Sequence, residues 1–143
     1  MSAAALRFGD VRVGDEIPPL AKVVTREDVK AYADASGDQN PLHQSDELAR
    51  AVGFPGIIAH GMFTMAHLVS CLVAWLGEPA GLLRIRVRFR SAVFMGETIV
   101  AGGIVRALDR KTRTATLDVW VTLERDGVIE YPIKRSEAEV RLA

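Results

Sequence analysis

The 143-residue chain carries 49% apolar and 25% charged side chains, the balance of an ordinary soluble globular protein, with enough length to bury one core. Its 18 basic and 18 acidic side chains cancel, which argues against the large basic footprint of a nucleic-acid binder. Cys71, the single cysteine, cannot form an internal disulfide. It lies in an apolar run without a basic neighbour and reads as a small core residue of a reduced, cytoplasmic protein.

Along the chain, Met1 to Leu6 is small and apolar but too short for a secretory signal. Residues 8–15 form a short lead-in closed by Gly14-Asp15. Thr25 is a helix cap, with Glu27 and Asp28 favouring the positive end of a helix that runs through Val29 and Ala35 and stops at Gly37. Ser45-Asp46 opens a second short helix over residues 47–52, ended by Gly53 and the turn Phe54-Pro55-Gly56.

From Met62 to Trp75 nearly every position is apolar, so a third helix is expected to be buried on all sides. The run is too short and too interrupted, by Thr64, His67 and Ser70, to span a membrane of about 20 residues' thickness.

Strands follow. Arg84-Ile85-Arg86-Val87-Arg88-Phe89-Arg90 alternates charged and apolar, the period of a half-buried strand. Residues 98–107 and 114–124 are rich in Val, Ile and Thr; Asp126-Gly127 marks a hairpin turn before a last strand over residues 129–142. Gly102-Gly103 suggests a bend or bulge, and Pro132 belongs at a strand start or a bulge. With no repeat, low-complexity tract or linker, residues 1–143 are read as one domain. It is α+β: a curved antiparallel sheet wrapped around one long buried helix.

Chemistry concentrates in Ser36-Gly37-Asp38-Gln39-Asn40-Pro41-Leu42-His43. Pro41 removes a backbone donor and turns Asn40 away from helical dihedrals, so a stiff loop aims a carboxylate and an imidazole at one point. Water held between Asp38 and His43 can lose a proton to one while the other orients it. Asn40 can donate and accept, and is read as orienting the pair or the water; Asp and Asn also suit a plain turn. Downstream, Ala59-His60-Gly61-Met62 stands where a loop enters the apolar helix, where free N–H groups point outward. Gly61 has no side chain to block a substrate carbonyl oxygen from its N–H. His60 is read as fixing the loop, and His67 as a satisfied core histidine.

The run Tyr32…Ser36-Gly37-Asp38-x-Asn40-Pro41-Leu42-His43, followed by Ala49 and then Ala59-His60-Gly61-Met62, resembles the MaoC-like (R)-specific enoyl-thioester hydratases and the related 3-hydroxyacyl-thioester dehydratases. The likeness extends to the Val-Arg-Phe strand at 87–89. It implies the hot-dog fold, in which Asp38 and His43 activate one water that adds to C3 of a trans-2-enoyl thioester. The product is an (R)-3-hydroxyacyl thioester, and Gly61 N–H holds the thioester oxygen. Ser36, Asn40 and His60 support the pair. The resemblance implies no metal or redox cofactor, a substrate carried on coenzyme A or acyl carrier protein, and a homodimer with sheets joined side by side; charge balance and the short apolar run lead us to expect no nucleic-acid or membrane partner. The resemblance also implies, as a variant, a heterodimer with a related subunit.

Within the same fold, a thioesterase acting at the carbonyl is the rival reading, and a non-catalytic acyl-binding or partner subunit is the rival from another class. Arg84, Arg86, Arg88 and Arg90 share one face of one strand. They form either a solvated face that discourages edge pairing or a contact for the carrier's phosphates. Phe54, Ile57, Ile58, Phe63 and Trp75 are candidates for an acyl-slot wall, and equally for ordinary core.

Overall fold

The computed structural model describes residues 5–143; Met1–Ala4, part of the apolar N-terminal stretch, lie outside the described residues. The elements in order are β1 (Glu16–Val23), α1 (Arg26–Ser36), α2 (Asp46–Ala51), α3 (Gly61–Leu76), β2 (Leu82–Arg86), β3 (Thr98–Asp109), β4 (Thr114–Arg125) and β5 (Val128–Arg141). The five strands form one sheet in the order β1-β3-β4-β5-β2, every neighbouring pair antiparallel.

Local signals placed most boundaries. Thr25 Oγ1 accepts from Asp28 N–H at 3.1 Å and the Asp28 carboxylate accepts back from Thr25 N–H, a reciprocal capping box. Gly37, at φ 80°, ends α1 in the left-handed region that favours glycine. Asp126 and Gly127, both at positive φ, make the tight β4–β5 turn whose twist matches the flanking strands.

The sheet curls around α3. Ala115, Leu117, Val119, Val121 and Leu123 on β4 point inward, against Leu68, Cys71, Leu72 and Leu76 of the helix. Leu68 and Leu72 retain no exposed surface, so truncating either to Ala costs about 2–5 kcal/mol. The helix is not enclosed on all sides, however. Met62, Ala66, Ser70 and Ala74 line an exposed stripe, because the sheet covers only one flank and these outward residues are small or flexible.

Two strand expectations change, and one strand is new. β1 was not anticipated, because Pro18-Pro19 breaks its pattern; both sit in a bulge between the paired residues Ile17 and Leu20. Gly102 and Gly103 pair regularly with Trp120 and Val119, so β3 has no bulge there. Glycine is required instead by close approach: a Cβ would come within 2.9 Å of Trp120 Nε1 at Gly102, and within 2.8 Å of the Asp118 carbonyl oxygen at Gly103. The arginine-rich strand pairs continuously only as far as Arg86. Phe89 then makes one isolated bridge to Ile133 and remains 48% exposed. Pro132 does sit at a bulge, where the β4–β5 register shifts between Val121 and Leu123.

His67 Nε2–H donates to the Leu20 carbonyl at 2.8 Å, which accounts for a buried histidine as a core group. Burial pushes the Cys71 thiol up from its ordinary value, and its S–H faces the Pro18 and Ala101 carbonyls at 3.4 and 3.7 Å, the setting of a core residue. Among the described residues, no helix is long and apolar enough to cross a membrane.

Candidate active site

The loop between α1 and α2 is built by its own side chains. Asp38 N–H donates to Ser36 Oγ at 3.2 Å, Asn40 N–H to Asp38 Oδ1 at 3.2 Å, and Leu42 N–H to Asn40 Oδ1 at 3.0 Å. Each is a short-range turn that takes up a backbone donor, and together they carry the chain into the 3-10 turn Pro41–His43. Asn40 therefore has its carbonyl oxygen committed to the loop. Ser36 acts one step earlier, on the backbone of Asp38.

Long-range contacts then aim the imidazoles. His43 Nδ1 lies 2.7 Å from the Ile58 carbonyl oxygen. A carbonyl can only accept, so Nδ1 carries the proton and Nε2 presents a lone pair. Ile58 N–H returns a bond to the Leu42 carbonyl at 3.1 Å, closing the clasp. His60 Nε2 lies 3.0 Å from the main-chain carbonyl oxygen of Asp38, which fixes that proton too. The two rings stack with centroids 3.8 Å apart and planes 25° from parallel, and Tyr32 packs on the other ring of the pair, His60, at 4.9 Å.

His60 is 2% exposed, and its Nδ1 is a buried polar atom with no partner among the described residues. The Asp38 carboxylate is exposed and His43 is half-buried. One ligand-capable atom from each of Asp38, His43 and His60 lies within 4.8 Å of the others. The cluster is thus acceptor-rich and matched to a small molecule with protons to give. It makes a poor metal cradle, because stacked imidazoles hold their lone pairs in nearly parallel planes, so one ring must turn before both reach one ion.

Gly61 is the first residue of α3, a position whose N–H has no intrahelical acceptor. A Cβ there would meet the Phe89 ring at 3.2 Å. Phe89 thereby becomes part of the site's wall, which the alternation of the arginine strand did not reveal. Of the residues considered for an acyl wall, Ile57 and Phe63 are buried, while Phe54, Ile58 and Trp75 keep partial exposure.

Residues 11–126 match the family profile described as MaoC like domain. The chain belongs to the MaoC-like family. It is similar to the 3-hydroxybutyryl-CoA dehydratase of Methylorubrum extorquens, 30% identical over 94% of this chain and 88% of that protein. It is also similar to the peroxisomal enoyl-CoA hydratase 2 of Arabidopsis thaliana, 39% identical over 46% of this chain but 22% of the relative. Against several such longer relatives, this MaoC-like chain spans less than two thirds of their length. Among solved structures, an (R)-hydratase from A. caviae involved in PHA biosynthesis superposes with a TM-score of 0.82 at 28% identity, covering 94% of this chain and 98% of the other. The hot-dog architecture expected from sequence is therefore the observed one.

Proposed function

We propose that this MaoC-like protein is a hydro-lyase that adds water to a trans-2-enoyl thioester, or removes it from the (R)-3-hydroxyacyl thioester. The observation that carries the reading is the fixed His43 tautomer. With Nδ1–H held by the Ile58 carbonyl, Nε2 keeps its lone pair, on a ring that brings a nitrogen within 4.8 Å of an Asp38 carboxylate oxygen and stacks on His60, the residue that precedes α3.

Water donates one proton toward Asp38 and is oriented by His43. As its oxygen bonds to C3, that proton passes to the pair, and charge develops on the thioester oxygen. Gly61 N–H, at the positive end of the helix dipole, stabilises that oxygen. The enolate then takes that proton back from the pair at C2, so that one water has been added across the double bond and the pair is restored. The names of the similar proteins, hydratases and dehydratases of coenzyme A and carrier-protein thioesters, support this substrate class.

The expected assembly is a homodimer paired through β2. At the other edge of the sheet, β1 contains Pro18 and Pro19, which offer no N–H for pairing. β2 has β5 on one side only. A mass near twice 15.6 kDa in solution is the check. The single buried thiol suits the reducing cytoplasm.

The deciding experiment follows loss of the conjugated enoyl absorbance of a short trans-2-enoyl-CoA, with Asp38→Asn and His43→Ala beside the wild type. Each variant is expected to lose at least about a hundredfold in rate while remaining folded by circular dichroism. Thiol release without hydration would replace the reading with a thioesterase. Equal rates in a folded Asp38→Asn protein would remove Asp38 from the chemistry.

A further inference from the structure

On the outer face of the sheet, away from α3, lies a hollow of about 810 Å³, within the range of small-molecule sites. Five cations border it against two carboxylates. The carboxylates, Asp118 and Glu137, are both taken up by Arg106, at 2.7 and 2.9 Å. Arg88, Lys134 and Arg135 have no carboxylate partner within ion-pair distance among the described residues. Trp120 and Tyr131 supply aromatic walls, and Lys134 Nζ sits 4.4 Å from the centre of the Tyr131 ring. In a chain of zero net charge, this is a local concentration of positive charge around a concavity rather than an evenly mixed surface.

Backbone geometry adds a second observation. Arg135 holds φ 51°, in the left-handed region that a non-glycine residue occupies at a cost, at a point where the register shifts between Val119 and Val121. A bulge that turns a charged residue outward at that cost has no packing benefit in the core, since Arg135 is exposed.

The hollow also adjoins the reaction site through one strand. Arg88 and Arg90 flank Phe89, whose ring lies against Gly61; successive side chains on an extended backbone point to opposite faces. Lys134 N–H donates to the Arg88 carbonyl and Arg90 N–H to the Pro132 carbonyl, so the cation-bearing segments are stitched together. A ligand whose charged end occupies the hollow can pass a flexible arm over this edge toward Gly61.

We propose that this hollow is the docking site for the 3′-phosphoadenosine diphosphate end of a coenzyme A thioester. Arg88 and Arg135 hold phosphate through their forked donors, and Trp120 or Tyr131 stacks on the base. The assignment rests on the hydro-lyase reading for the identity of the nucleotide, and its test separates the two.

Calorimetry with 3′,5′-ADP compares the wild type with Arg88→Gln/Arg135→Gly; the second substitution suits the positive φ and so spares the fold. The Kd is expected to rise about tenfold or more, and wild-type affinity to weaken with added salt. In parallel, the ratio of kcat/KM for trans-2-butenoyl-CoA to that for trans-2-butenoyl-pantetheine should fall about tenfold in the double variant. No binding of 3′,5′-ADP by the wild type, or equal Kd in both proteins, overturns the proposal. So does a loss confined to acyl carrier protein thioesters, which would give the hollow to an acidic carrier instead. Failure of the wild type to turn over any enoyl thioester would defeat the hydro-lyase reading while calorimetry still reports on the hollow.

Discussion

His60 holds the main-chain carbonyl of Asp38 from 22 residues away, by a hydrogen bond of 3.0 Å from Nε2. The same ring is the floor on which His43 stacks. One buried side chain thus sets the position of the acid and the tilt of the base, although only 2% of it is exposed.

His60→Ala should therefore destabilise the fold by about 2–4 kcal/mol, through a cavity and an unpaired carbonyl, and lower kcat by more than that loss of folded protein explains. His60→Gln, which can return an N–H to the Asp38 carbonyl, should recover part of kcat. Urea denaturation beside steady-state kinetics reads both quantities. If His60→Ala keeps kcat once only folded protein is counted, His60 is a packing residue alone.

Gly61 and Phe89 form a coupled pair. Gly61→Ala puts a methyl 3.2 Å from the Phe89 ring, a contact that the half-exposed ring can partly yield to, whereas Gly61→Val cannot be accommodated without shifting it. We expect Gly61→Val to lower kcat/KM by about tenfold or more, with a smaller loss for Gly61→Ala that Phe89→Leu partly relieves. Additive effects of Gly61→Ala and Phe89→Leu would mean that the ring and the helix terminus act independently.

A more distant device steadies His43. Arg125 makes two bonds to the Glu97 carboxylate at 2.9 and 2.7 Å, donates to the Ala92 carbonyl at 3.0 Å, and lies 4.1 Å over the Phe94 ring. Phe94 bridges Ile58, and the Ile58 carbonyl holds the His43 proton. Glu97→Ala should cost on the order of 2 kcal/mol, less than a wholly buried pair because both side chains keep some solvent. It should also reduce kcat without raising KM in proportion. A change in thermal stability with kinetics untouched would break the proposed link to Ile58.

Acid should loosen the same region through Asp46. Its carboxyl is held below the ordinary value of 3.8, first by the Ile57 N–H at 2.9 Å and then by the Arg26 guanidinium at 2.6 Å. A depressed carboxylate stabilises the fold above its unfolded pKa, and that contribution is lost as pH falls through the lower, folded value. As pH falls below the ordinary carboxylate value of 3.8, stability should therefore fall more steeply in the wild type than in Asp46→Asn. Parallel acid profiles would show that Asp46 contributes nothing there.

The sequence by itself determined whatever depends on a few neighbouring residues. The Thr25–Asp28 box, Gly37 at the end of α1, the Asp126-Gly127 turn and the stiff Gly37-to-His43 loop all follow from local sterics and short hydrogen bonds. That is why the fold class and the Asp38–His43 pair were legible before any coordinates. Contacts between distant segments were not. Ile58 fixing the His43 tautomer, His60 carrying Asp38 and Phe89 lying on Gly61 arise only when the sheet closes over α3. The same closure paired β1 despite its prolines, gave Gly102 and Gly103 their close neighbours, and left one stripe of α3 uncovered. Local propensity acts over a turn or two, whereas register and burial are properties of which strands meet, and that was settled only by packing the whole core.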